Sequence, residues 1–127
     1  MSWNNIKIDI ADKLFSKYVR LQHKECLKCG KFGTGELGID GLQASHFHGR
    51  RKESTRYDLK NVDCLCISCH KYFTELKTEY EAWKLEQLGQ KEYDLLMLRA
   101  NTPGKRDRKM QAIIWKELLK NDFDLVT

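Results

Sequence analysis

Hydrophobic positions near the start of the chain recur at helical spacing. Ile10, Leu14, Tyr18 and Leu21 fall on one face, with Phe15 and Val19 beside them, and Asp9 stands where an N-cap belongs. The pattern predicts an amphipathic helix over 9–21 whose apolar stripe packs on a core. Residues 30–41 then carry five glycines, Gly30, Gly33, Gly35, Gly38 and Gly41, and close with Asp40-Gly41, a two-residue hairpin turn. Period two follows in Leu42-Gln43-Ala44-Ser45-His46-Phe47-His48. A strand there places Ser45 and Phe47 on one face and Ala44, His46 and His48 on the other. Asn61-Val62-Asp63-Cys64-Leu65 predicts a second strand that pairs with the first. Helical spacing returns from Ile67 to Leu76, with Tyr72, Phe73 and Leu76 as anchors, from Thr78 to Leu88, ended by Gly89, and from Glu92 to Ala100. A last helix is expected from Thr102-Pro103 to about Lys120, with Ile113, Ile114, Trp115, Leu118 and Leu119 as its apolar residues. The class is α+β.

Composition and the chain as a whole narrow this picture. A chain of 127 residues makes one domain. Its net charge of +5, from 23 basic and 18 acidic residues, is compatible with nucleic acid without requiring it. No apolar run approaches the roughly 18 residues of a membrane span. Met1-Ser2-Trp3-Asn4-Asn5 lacks the charged start and apolar core of a secretory signal. Five cysteines without such a signal point to a reducing compartment and to metal rather than disulfides. The expected location is a cytoplasm, cellular or viral in origin.

Four of the cysteines form two pairs, Cys26-X2-Cys29 and Cys66-X2-Cys69, with 36 residues between them. Tetrahedral zinc needs two tight turns facing each other, and the CxxC spacing supplies such a turn twice. Gly30, just after the first pair, lets the backbone turn so that its amides face the thiolates. Cys64 reads as a small buried hydrophobe, with exchange for Cys66 or Cys69 as ligand the alternative. His23 reads as a polar surface residue. A four-cysteine zinc has no need of His46, His48, Asn61 or His70. The strand bearing His46 reaches the helix bearing His70 if the hairpin folds back, with Asn61 on the second strand. Between the two strands, Arg50, Arg51, Lys52, Arg56 and Lys60 make a basic loop suited to phosphates, or else a solvated loop. The basic turn Lys105–Lys109 either extends such a surface or is a solvated helix end.

The pattern His46 … Asn61 … Cys66-X2-Cys69-His70, preceded by Cys26-X2-Cys29, resembles the HNH endonucleases. Their fold is a small ββα-metal core, and the resemblance implies one HNH nuclease domain, 1–127, with a ββα-metal core over 26–77 stapled by a four-cysteine zinc knuckle, an N-terminal helix over 9–21 and a helical C-terminal extension over 78–120. Ala44-Ser-His-Phe-His-Gly-Arg, Thr55-Arg-Tyr-Asp and Asn61-Val are more specifically similar to the lambdoid phage recombination family NinG, also called Rap, over roughly residues 10–100. The resemblance implies a metal-dependent DNA endonuclease with a structural Zn2+ and a catalytic divalent cation such as Mg2+ or Mn2+. It gives His46 the role of general base, Asn61 that of orienting the base and its loop, and His70 that of binding the catalytic metal. Cleavage would leave 5′-phosphate and 3′-hydroxyl ends. One position departs from the pattern. Where many HNH proteins carry a second metal ligand, this chain has Ser45, a poor substitute for a carboxylate. Either His48 or Asn61 then completes the metal site.

Two other functions compete with a nuclease that nicks DNA or cuts branched DNA during phage recombination. One is a non-catalytic zinc-ribbon module that binds nucleic acid or a protein; the His46, Asn61 and His70 set argues against it. The other is an HNH partner of phage terminase in DNA packaging, with the same chemistry and different partners. A phage-encoded protein of this kind acts in the bacterial cytoplasm. The apolar faces of the last helices pack either on the ββα unit or on a second subunit as a homodimer.

Overall fold

The computed structural model describes residues 7–33 and 41–123. Asp40 of the expected hairpin turn, and Gly35 and Gly38, lie outside the described residues. Helix α1 spans Ile10–His23. It starts there because Asp9 and Asp12 cap it reciprocally, each carboxylate accepting from the other's backbone N–H at 3.0 Å. It ends at Lys24, whose left-handed backbone returns its N–H to the Arg20 carbonyl. Its buried face is turned from the expected one. Ala11, Asp12, Phe15, Tyr18, Val19 and Leu21 are buried, whereas Ile10 is 69 % exposed.

Asp12 draws that face inward. Arg56 donates through Nε and Nη2 to the two Asp12 oxygens at 2.9 and 2.6 Å. Its other N–H groups reach Glu53 and the carbonyls of Arg50 and Lys7. Arg56 is 3 % exposed, so its expected role as a phosphate contact is corrected: it is a buried strut between the basic loop and α1. Burial by itself would push the Asp12 carboxyl up, but the hydrogen bonds and charge of Arg56 and the Asp9 amide outweigh it and hold the pKa at about 2, from 3.8. A folded-state pKa below the unfolded one adds stability that is complete above the unfolded value and is lost as pH falls through the folded one. Urea unfolding should therefore lose about 2 kcal/mol from this group between about pH 4 and pH 2. Asp12→Asn should start less stable and run flatter across that window.

Strands β1 (Leu42–His46) and β2 (Val62–Cys66) pair antiparallel, with Leu42 opposite Cys66 and His46 opposite Val62. The intervening loop carries a short 3-10 turn, Glu53–Thr55. All five residues of β2 are buried, because both faces of the hairpin are covered. On one side Phe15 of α1 lies 6.2 Å from the His46 ring, centroid to centroid. Covering the other side are α2 (Ile67–Glu75) and α3 (Lys77–Leu88). Phe73 of α2 stacks on Tyr80 of α3 with ring centroids 4.4 Å apart. Helix α4 (Gln90–Ala100) follows Gly89 and packs against the 3-10 turn.

Helix α5 (Arg108–Phe123) starts five residues later than expected. Pro103 does not open it. Asp107 does, its Oδ1 accepting from the Met110 amide at 3.1 Å and its carbonyl from the Gln111 amide at 2.9 Å. Helix α5 packs on α1 in the same direction, since contacts climb together along both. Arg108 reaches Asp9 at 2.7 Å, Trp115 meets Phe15 at 4.7 Å, and the Tyr18 hydroxyl donates to Asp122 at 2.7 Å. Trp115 and Leu119 are buried, whereas Ile113 stays exposed. One cluster of buried side chains runs from α1 through the sheet to α5. Among the described residues no helix is long and apolar enough to cross a membrane.

Candidate functional site

Two groups of side chains flank the hairpin. The first is built where β2 becomes α2. Cys66 ends the strand and caps the helix, its Sγ accepting from the Cys69 amide at 3.4 Å. Opposite, the turn 26–29 is closed by the Gly30 amide donating to the Cys26 carbonyl at 2.8 Å, with Gly30 at φ 80. The Cys29 amide reaches the Cys26 Sγ at 3.5 Å. The Leu27 amide donates to the Cys64 carbonyl at 2.8 Å and so ties the turn to β2. The ligand atoms of Cys26, Cys29, Cys66 and Cys69 all lie within 4.8 Å of one another. Tetrahedral zinc with bonds of about 2.3 Å sets its sulfurs about 3.8 Å apart, and Cys29 and Cys66 stand at 3.8 Å. The four cysteines thus form a possible zinc site. Cys64 is outside the group and fully buried, and burial pushes its thiol up to about 12.

The histidines make the second group. His46 ends β1 with its Nε2 3.0 Å from the Arg56 carbonyl, so Nε2 carries the proton and Nδ1 the lone pair. Nδ1 is buried without a partner. Burial, followed by the Arg50 charge, lowers the His46 pKa to about 4; the ring is neutral at pH 7 but a weaker base than a free imidazole. Burial, and after it the Arg50 charge, lowers the His70 pKa as well. The Arg50 Nε has no hydrogen-bond partner and lies 3.9 Å from Asp12.

Asn61 is fully buried and spans the loop. Its Oδ1 accepts from the His48 amide at 2.8 Å, and its Nδ2 donates to the His48 and Thr55 carbonyls at 2.9 and 3.1 Å. The Asn61 side chain thus ties the residue before β2 to the loop that follows β1. His48 does not continue the strand face of His46, because β1 stops at His46 and the Asn61 amide holds the His48 backbone. Its ring packs on Phe47 at 4.8 Å with Nε2 buried and unpartnered. Burial and then the charges of Lys77, Lys52 and Lys84 lower its pKa to about 4; those cations oppose a metal ion there.

His70 lies in the first turns of α2 with Nδ1 2.5 Å from Gln43 Oε1. By register Gln43 shares a face with Ser45, and His46 has the opposite one. Ser45 is not free to act as a ligand. The Tyr80 hydroxyl donates to Asp63 at 2.7 Å, leaving Ser45 Oγ to donate to the Tyr80 oxygen at 3.0 Å. Lys84 completes this buried network on Asp63 at 3.0 Å. Sequence reasoning missed it; the available signal was a lone carboxylate in an otherwise apolar strand. Among the described residues the four cysteines are the only set of three or more His, Cys, Asp or Glu side chains gathered for a metal. His46, His48 and His70 do not form a second one.

Arg51 and Lys52 of the basic loop are exposed. Lys60, half-exposed, pairs with Glu92 at 2.7 Å. Comparison with family models, curated proteins and solved structures returns no significant match.

Proposed function

We propose that this chain is an HNH-type DNA endonuclease, stapled by zinc on Cys26, Cys29, Cys66 and Cys69, that hydrolyses phosphodiester bonds. The setting of His46 carries the reading: a neutral ring whose tautomer is fixed by a backbone carbonyl and whose Nδ1 lone pair has no partner. Nδ1 is covered in this conformation, so the step requires a local opening that admits water to it; a water then losing its proton to Nδ1 attacks phosphorus. The bond to the 3′ oxygen breaks, and that oxygen takes a proton from solvent. Arg50 supplies positive charge to the phosphate oxygens as charge builds. The arriving anion offsets the Arg50 charge at His46 and so makes the ring more basic. The resemblance assigns a catalytic divalent cation to His70. The residues beside it, Gln43 and the engaged Ser45, do not make a ligand set for one.

That last observation favours a second reading, a zinc-ribbon module that binds DNA without cutting it. The two separate in one assay. Zinc-loaded protein is incubated with supercoiled plasmid and with a four-way junction, in Mg2+, Mn2+ or Ni2+ and in buffer without added metal. Nicking under any condition supports the endonuclease, and junction cutting supports a recombination role. Binding without cleavage of either substrate selects the module.

A further inference from the structure

The loop after His48 and the linker before α5 face each other across a cleft of about 270 Å³. One wall is Arg51, Lys52 and Ser54; the other is Asn101, Thr102 and Lys105. The walls are tied together. Lys52 Nζ donates to Asn101 Oδ1 at 3.1 Å, Ser54 Oγ to the Arg99 carbonyl at 2.5 Å, and Arg106 Nη2 to the Ser54 carbonyl at 2.8 Å. Glu53, the one acidic residue lining the cleft, is neutralised by Arg56 at 3.2 Å and by Arg108. Lys52 and Lys105 are exposed on opposite walls, and the one carboxylate that lines the cleft is held in ion pairs with Arg56 and Arg108, which also pair with Asp12 and Asp9. Small-molecule pockets run from about 300 Å³ upward and are mostly apolar; this cleft is smaller, cationic and polar-walled, which suits a phosphate chain.

We infer that the cleft between residues 51–54 and 101–105 holds the sugar-phosphate backbone of duplex DNA, with Lys52 and Lys105 contacting phosphates from opposite walls. The inference rests on the endonuclease reading and deepens it: the path begins three residues after His48 and brings in the 101–107 linker, held in place by Asp107 capping the next helix. Binding through phosphates releases counterions, and each contact adds about 0.9 to the slope of log affinity against log salt.

The test is fluorescence anisotropy of zinc-loaded protein on a mixed-sequence duplex between 50 and 200 mM salt, with plasmid nicking in parallel. Lys52→Ala/Lys105→Ala should flatten the slope by about 1.8, two contacts' worth, and weaken binding to all sequences alike. Asn101→Ala, which loses the cross-cleft hydrogen bond but no charge, should keep the wild-type slope. Lys116→Ala/Lys120→Ala, an equal charge loss on exposed positions of α5, should keep it too. An unchanged slope in Lys52→Ala/Lys105→Ala, with nicking retained, overturns the cleft and leaves the endonuclease standing. An equal flattening by the α5 pair shows a net-charge effect and also overturns it. A wild-type protein that neither binds nor nicks DNA removes both.

Discussion

Replacing Cys66 by Ser should release zinc and melt the junction of β2 and α2. Cys66 is asked to do three things at once. It closes the strand, it caps α2 by accepting the Cys69 amide, and its sulfur stands 3.8 Å from that of Cys29. A structural zinc contributes on the order of 10–16 kcal/mol in small peptides, comparable to the whole stability of a domain, about 5–15 kcal/mol. The aromatic contacts of Phe15 and Tyr18 with Trp115 do not involve the cluster, so helical signal from that side should outlast the knuckle. Zinc content by elemental analysis and circular dichroism with and without chelator measure the two parts. Cys64→Ala and His70→Ala should both retain the metal. Zinc lost with His70 would mean that the two sites have been divided wrongly, and zinc lost with Cys64 would reinstate it as a ligand.

His46→Gln should lower plasmid nicking by about 10²–10⁴-fold, the usual worth of a positioned general base. Glutamine is the informative substitution. Its amide can still donate to the Arg56 carbonyl that now holds Nε2 at 3.0 Å, so the loop keeps its anchor, but it cannot take a proton. DNA affinity should stay within a factor of two or so, because removing a neutral ring deletes no phosphate contact. Equal cutting by wild type and variant would withdraw His46 as the base, whatever the metal used.

Much of the frame was legible because it rests on short-range physics. Asp9 before an apolar period announced α1, Gly89 ended α3, and alternation marked β1. The two CxxC pairs identified their cluster for a similar reason: ligand spacing within each turn is local, and the four sulfurs of the two turns do come together. What was not legible depends on partners distant in sequence. Arg56 looked like any arginine of a basic loop until Asp12, 44 residues away, proved to bind it. Ser45 read as an unfilled ligand position, yet Tyr80 of α3 occupies its hydroxyl. The alternation that grouped His48 with His46 fails because the Asn61 side chain captures the backbone just past the strand end. Pro103 outweighed Asp107 as a helix start, although the aspartate has the better chemistry for a cap.

The parallel pairing of the first and last helices has a consequence for how the chain is made. Phe15 and Tyr18 find Trp115 only after about a hundred further residues have been added. At about 5–20 residues per second of synthesis, Trp115 arrives roughly 5–20 s after this face is made, and until then Phe15 has only the rings of His46 and Tyr57 to pack on. A helix left open for that interval offers chaperones an apolar face, so slowing synthesis between codons 23 and 115 is expected to lower the folded yield, measurable as soluble protein from a slow-codon gene against a fast-codon one.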